Sequence, residues 1–350
     1  MPIMPDPVVA PIPLVRHDRR VFLGRAAALG GALSLLAACE EKHDADRPER
    51  DHGEQEGSRQ RYAAPPLVPT TPWAVRDAAL PPATRERVRQ LRFEARDVNF
   101  AISPNEVVPV WTFEGQLPGP LVHVRQGDTI EFTLVNHGSM PHSMDFHAAQ
   151  IDPVTAFRSV PPGQSVSYTY RPRHGGAFLY HCGTDPVLMH MGMGMFGAIV
   201  VDPATPLPPA REFVLIQNEF YIGGSTSGAL YLDYTKMLAT LPDVVVFNGH
   251  PMQYMSAPLR VKRGERVRFH VVNAGPSLGC AFHVVGEQFD VVYLAAPPSG
   301  ALHGVQTFNV PPGGGMIFEM MADIPGTFTF VNHAFGHGQK GAIGHLVVEP

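Results

Sequence analysis

The stretch "FEGQLPGPLVHVRQGDTIEFTLVNHG" (Phe113 to Gly138) is written a second time, with changes, as "FNGHPMQYMSAPLRVKRGERVRFHVVNAG" (Phe247 to Gly275). Each copy leads into a histidine-bearing segment, "PHSMDFH" (Pro141 to His147) and "CAFHVVG" (Cys280 to Gly286). Matching turns follow, "VPPGQSVSYTY" (Val160 to Tyr170) and "VPPGGGMIFEM" (Val310 to Met320), and the units close on "GAFLYHC" (Gly176 to Cys182) and "GTFTFVNH" (Gly326 to His333). One unit therefore recurs about 140 residues further on. Within it, runs such as "LVHVRQGDTIEFTLVN" alternate apolar and polar residues around a Gly-Asp turn, the pattern of antiparallel strands. The repeat predicts an all-β chain of two tandem Greek-key β-sandwiches, with little helix.

Composition agrees with that class. The 350 residues are 44% hydrophobic, with 34 glycines and 36 prolines to punctuate short strands. The formal net charge of −5, with no basic cluster in the body of the chain, excludes nucleic acid as a natural partner. Residues 1–38 read as a targeting segment: "RRVFLG" (Arg19 to Gly24) is a twin-arginine pair before an apolar run, and "LLAAC" (Leu35 to Cys39) is like a bacterial lipobox. This predicts export to the periplasmic side of a bacterial membrane, with Cys39 lipidated and no other membrane attachment. Residues 39–64, charged and poor in large apolar side chains, read as a flexible tether. Domain one is then expected over 65–203 and domain two over 204–350, across the proline-rich "PATPLPPAREF" (Pro203 to Phe213). With Cys39 set aside, Cys182 and Cys280 remain; a disulfide is one reading, but Cys280 in an apolar strand reads as a buried, inert thiol.

The candidate chemistry lies in domain one. His142 and His147 flank "SMDF", His181 and Cys182 are adjacent, and His190 and Met195 follow. Adjacent residues on a strand point to opposite faces, so His181 and Cys182 serve two different metals on either side of one strand. His142 and His147 are an odd number apart, and an unbroken strand would likewise give one to each site. The first set is then His142, Cys182, His190 and Met195, two imidazoles and a thiolate with a weak axial thioether, the arrangement of a blue-copper electron-transfer site. Met193 competes with Met195 for the axial place. The second set holds His147 and His181 and needs a further imidazole from elsewhere.

These residues resemble the two-domain copper-containing nitrite reductases of the multicopper oxidase superfamily. The likeness rests on "MPHSMDFH", on the His-Cys, His and Met series before "GAI", and on "FVNH" in the second repeat, and it spans about residues 95–350. It implies cupredoxin-like domains with two coppers per subunit, type 1 on the first set and type 2 on the second. The third type 2 ligand would be His333 of an adjacent subunit in a homotrimer. The substrate would be nitrite, reduced to nitric oxide, with a small cupredoxin or c-type cytochrome as electron donor. Asp145 matches the family's active-site aspartate. The resemblance also implies a second catalytic histidine a few residues after the "HVVG" segment; Gln288 stands at that position, with His303 or His337 as possible substitutes. A multicopper oxidase reducing O2 or another small oxidant is the alternative enzyme, but the chain lacks the His-x-His pairs of a trinuclear cluster. An electron-transfer cupredoxin without catalysis would leave His147, His181 and His333 without a role.

Overall fold

The computed structural model describes residues 67–224, 230–294 and 296–350, so the signal segment, Cys39 and the tether lie outside the described residues. In domain one the strands are β1 (Val88–Ser103), β2 (Glu106–Phe113), β3 (Val122–Arg125), β4 (Thr129–Asn136), β5 (Asp145–Phe146), β6 (Ser165–Tyr170), β7 (Gly176–His181) and β8 (Phe196–Asp202). The alternation in the quoted repeat does what it predicts. In β4, Ile130, Phe132 and Leu134 are buried while Glu131 between them faces solvent. One sheet has the order β2-β1-β4-β6 and the other β3-β8-β7-β5. Phe93, Phe113, Phe132, Phe146 and Tyr180 fill the space between them.

Domain two repeats the plan with larger sheets, one of six strands and one of five. The equivalences are close. β1 runs parallel to β4, as Arg211–Phe220 does to Arg266–Gly275, and β3 runs parallel to β8, as Leu259–Lys262 does to Ile343–Glu349. These parallel pairs depart from the antiparallel expectation; they arise where the Greek-key crossover brings an early strand beside a later one. Asn136 donates to the carbonyls of Met140 and Val160 and accepts from Gly138 N–H, and Asn273 does the same with Leu278, Val310 and Gly275. Each amide thereby ties the exit of a strand to the turn that follows.

A third apolar cluster joins the sandwiches, with Ala177, Leu179, Phe196 and Ala198 against Val214, Ile216, Val272 and Ile317. β8 is therefore buried on both faces, which is why "FGAIVV" reads as a continuous apolar run rather than an alternating one. β7 and β8, which flank the candidate ligands, thus lie between two cores. No helix among the described residues is long and apolar enough to cross a membrane.

Candidate metal centres

The first set is assembled by three short connections. His142 forms an isolated bridge with Val160, its N–H donating to that carbonyl at 3.0 Å and its carbonyl accepting at 2.7 Å. Cys182 follows β7 directly, and its N–H donates to the Met195 carbonyl at 3.0 Å, which fastens the exit of β7 to the entry of β8. A helix α1 over Pro153–Ala156 falls between β5 and β6, while α2 (Val187–Gly192), between β7 and β8, begins after Pro186 and carries His190 inward on its last turn. His190 Nδ1 lies 3.3 Å from Cys182 Sγ and 3.2 Å from His142 Nδ1. All three residues are buried. Burial, with the nearby His190 imidazole second, pushes His142 down to about 4, and burial likewise lowers His190, so both rings are neutral lone-pair donors at ordinary pH.

Trp111 closes this cluster from the side, its ring centroid 5.4 Å from that of His142 and 4.8 Å from that of His190. Met195 is fully buried in the same apolar cluster as Cys182. Met193 is half-buried, at the C-terminal end of α2, and its carbonyl accepts from Trp111 N–H. Packing therefore favours Met195 over Met193 for the thioether.

His181 turns to the opposite side of β7 from Cys182, as adjacent strand residues must. His147 Nε2 lies 3.0 Å from His181 Nε2, and Asp145 Oδ2 lies 3.8 Å from the same His181 atom. The segment from His142 to His147 is not the unbroken strand that spacing suggested. Only Asp145 and Phe146 pair as a strand, with His181 and Tyr180. The two histidines still separate, because His142 is held by Val160 and His147 by an N–H donated to the Leu179 carbonyl. His147 is exposed, and Asp145 and His181 are partly so. The pair sits at the protein surface, where a further ligand from outside the chain has access.

Domain two holds its own imidazole pair. The His283 and His333 rings are 5.3 Å apart between centroids, and Phe335, 60% exposed, lies against His333. The strand Cys280–Val284 sets this pair up: His283 is in register with Val331, two residues before His333, and His333 N–H donates to the Ala281 carbonyl. His283 Nδ1–H donates to the Gln306 carbonyl at 2.5 Å, which leaves Nε2 free to take a proton. Gln288 and His303, the candidates for the second catalytic position, are not part of this pair. Gln288 lies beyond the turn at Gly286, exposed among Glu287, Asp290 and Asp323, because the positive φ of that glycine turns the chain away. His303 is exposed on Ala301–Val305 with Nδ1–H on the Asp290 carbonyl. His337 is half-buried with Nδ1 3.1 Å from Asn332 Nδ2. His283 was missed because a histidine on a strand gives no local signal; its reach to His333 depends on inter-strand register.

Both donor sets suit a soft or borderline cation. In the second set, His147 Nδ1–H donates to the Gly313 carbonyl at 2.9 Å and His181 Nδ1–H to the Cys182 carbonyl at 2.8 Å. Both Nε2 atoms then present lone pairs to each other, a repulsive contact that a bound cation converts into ligation. In the first set, two Nδ1 atoms and a thiol converge away from solvent with no carbonyl among them, a donor set that copper accepts. Among the described residues these are the two clusters of His, Cys, Asp or Glu able to hold a metal. Cys182 and Cys280 are both free, and burial pushes the Cys280 thiol far up, leaving it inert.

Family models described as multicopper oxidase match residues 94–206 and 225–350. The copper-containing nitrite reductase of Neisseria meningitidis serogroup A is 38% identical over 283 residues, covering 77% of this chain and 72% of that protein. Among solved structures, a copper nitrite reductase from Nitrosomonas europaea superposes with a TM-score of 0.68 at 36% identity, over 75% of this chain and 94% of that one. A copper-containing nitrite reductase from Thermus scotoductus gives a TM-score of 0.68 at 29% identity, over 75% of this chain and 62% of that one.

Proposed function

The chain belongs to the copper-containing nitrite reductases of the multicopper oxidase family, and from that premise we propose that it reduces nitrite to nitric oxide at a site shared between subunits. The observation that carries this reading is the pair of facing Nε2 lone pairs on exposed His147 and half-buried His181, two imidazoles at the surface, together with a separate exposed His333 in domain two whose neighbour His283 has its Nδ1–H fixed on a carbonyl. His142, Cys182, His190 and Met195 hold a type 1 copper in this reading; His147, His181 and the His333 of an adjacent copy hold a type 2 copper. Copper bound there would supply a one-electron redox couple and Lewis acidity toward the anion. The overall change is NO2⁻ + 2H⁺ + e⁻ → NO + H2O.

The protein's own groups do the rest. The Cys182–His181 peptide link joins the two sets by the shortest covalent route. Asp145 sits within reach of the His147–His181 pair and delivers a proton to the nitrite oxygen that leaves as water. His283 takes the role first sought at Gln288: its Nδ1–H is fixed on the Gln306 carbonyl, so Nε2 is the atom that holds and passes the second proton. On the other side, Met140, 42% exposed beside His142, and half-buried Trp111 form the apolar approach on which a small cupredoxin or c-type cytochrome would dock. Export and lipid attachment at Cys39 belong to the same proposal and rest on residues 1–39 alone.

Subunit complementation tests the shared site. His147→Ala and His333→Ala variants are each expected to be inactive, while co-assembled mixtures regain activity, because some interfaces then combine an intact His147 with an intact His333. Mixed oligomers verified by mass that stay inactive would contradict the proposal.

A further inference from the structure

We infer that the hydroxyl of Ser143 is a tuning group of the first metal site, donating its proton to the Cys182 sulfur and raising the preference of that site for the reduced metal. The inference rests on the type 1 reading above. Ser143 is wholly buried, so its hydroxyl proton must find an acceptor inside the protein. Its oxygen already accepts from Gly183 N–H at 2.9 Å. The other contact of that oxygen is Cys182 Sγ at 3.8 Å, a distance at which sulfur still engages in hydrogen bonding. A metal-bound cysteine is a thiolate with no proton of its own, which makes the hydroxyl the donor. Ser143 also points its backbone N–H at the same sulfur, at 3.3 Å. Both protein hydrogen bonds to the sulfur other than His190 therefore come from one residue.

Domain two provides an internal control. His142 bridges Val160 where Cys280 pairs with Val310, so Ser143 corresponds to Ala281, and Cys182 corresponds to Asn332. Ala281 N–H donates to Asn332 Oδ1 at 3.2 Å, the counterpart of the Ser143 N–H bond to sulfur. The backbone donor is thus a property of the scaffold and is present where the cysteine and its metal partners are not. The hydroxyl is present in domain one alone. Hydrogen bonding around the cysteine sulfur is a recognised lever on the potential of such sites, since a donor stabilises the more electron-rich sulfur of the reduced state.

The test uses the full copper-loaded protein. Ser143→Ala is expected to bind copper and keep its colour, with the reduced state disfavoured roughly three- to tenfold relative to wild type, the upper end being a fall of ~59 mV in midpoint potential. The sulfur-to-metal charge-transfer band is expected to move to longer wavelength, and Ser143→Thr, which keeps the hydroxyl, to restore both. An unchanged potential and band in Ser143→Ala would overturn the inference. So would a shift that Ser143→Thr fails to reverse, because the cause would then lie in local packing rather than in the hydroxyl. Absence of any charge-transfer band from the wild-type protein is a different result, and it rejects the type 1 reading itself.

Discussion

The same position in the two sandwiches holds opposite solutions to one packing problem. In domain one it carries His142, Cys182, His190 and Met195; by strand register three of the corresponding residues of domain two are Cys280, Asn332 and Ala342, and the fourth is His337, whose carbonyl accepts from Ala342 N–H as that of His190 does from Met195 N–H. Asn332 fills the place of the thiolate with an amide that reaches Gln217, the Gly279 carbonyl and His337, and accepts from Ala281 N–H. Its polar atoms are thereby partnered within the protein. In domain one, by contrast, two ring nitrogens and a sulfur face one another with no carbonyl between them, and His142 Nε2 is buried without a partner. The scaffold is common to both, and side-chain identity alone decides which copy can hold a metal.

That contrast is open to attack at several points. Cys182→Ala is expected to abolish the visible charge-transfer band altogether and remove one copper per subunit, whereas Cys280→Ala keeps the band and costs about 1–2 kcal/mol as a small buried cavity. Absorption spectra with metal analysis check both. His147→Ala should preserve the colour while nitrite turnover falls by more than the roughly 100-fold that loss of an outer partner costs; turnover that survives would merge the two sets into one. Asn332→Ala strips several buried partners at once and is expected to destabilise the fold by about 3 kcal/mol in denaturant titration, with the colour unchanged.

A further difference is the pH response. Burial pushes both His142 and His250, one in each domain, from 6.5 down to about 4. Below pH 6.5 the unfolded chain takes up protons that the native state refuses, so stability is full above that pH and declines as pH falls toward 4. In metal-free protein the loss is about 2 kcal/mol per histidine by pH 5. Copper loading should leave the His142 share in place, because a ligated imidazole also refuses protons in the native state, while His250→Asn removes the His250 share; denaturation midpoints at pH 7 and pH 5 read the difference.

Much of this was legible in the chain. The repeated unit gave the two sandwiches, because period-two burial follows directly from the pleat. The adjacent His181 and Cys182 forecast two separate sites, since neighbours on a strand cannot face the same way. Spacing was less reliable where the backbone leaves regular pairing. His142 and His147 do separate, but through two different hydrogen-bonded neighbours rather than along one strand. Gln288 was chosen by counting from "HVVG", yet the turn at Gly286 carries it away, and His283, inside that very segment, meets His333. That meeting depends on a register between distant strands, which no local pattern encodes. Ser143 was silent for a similar reason: its significance lies in a sulfur 39 residues away.

The central claim is best tested by supplying reduced donor and nitrite to copper-loaded protein under strictly anaerobic conditions, and measuring nitric oxide against electrons consumed. The account predicts one nitric oxide per electron, with His147→Ala as the inactive control. Rapid O2 consumption in air with no nitric oxide from nitrite would contradict it.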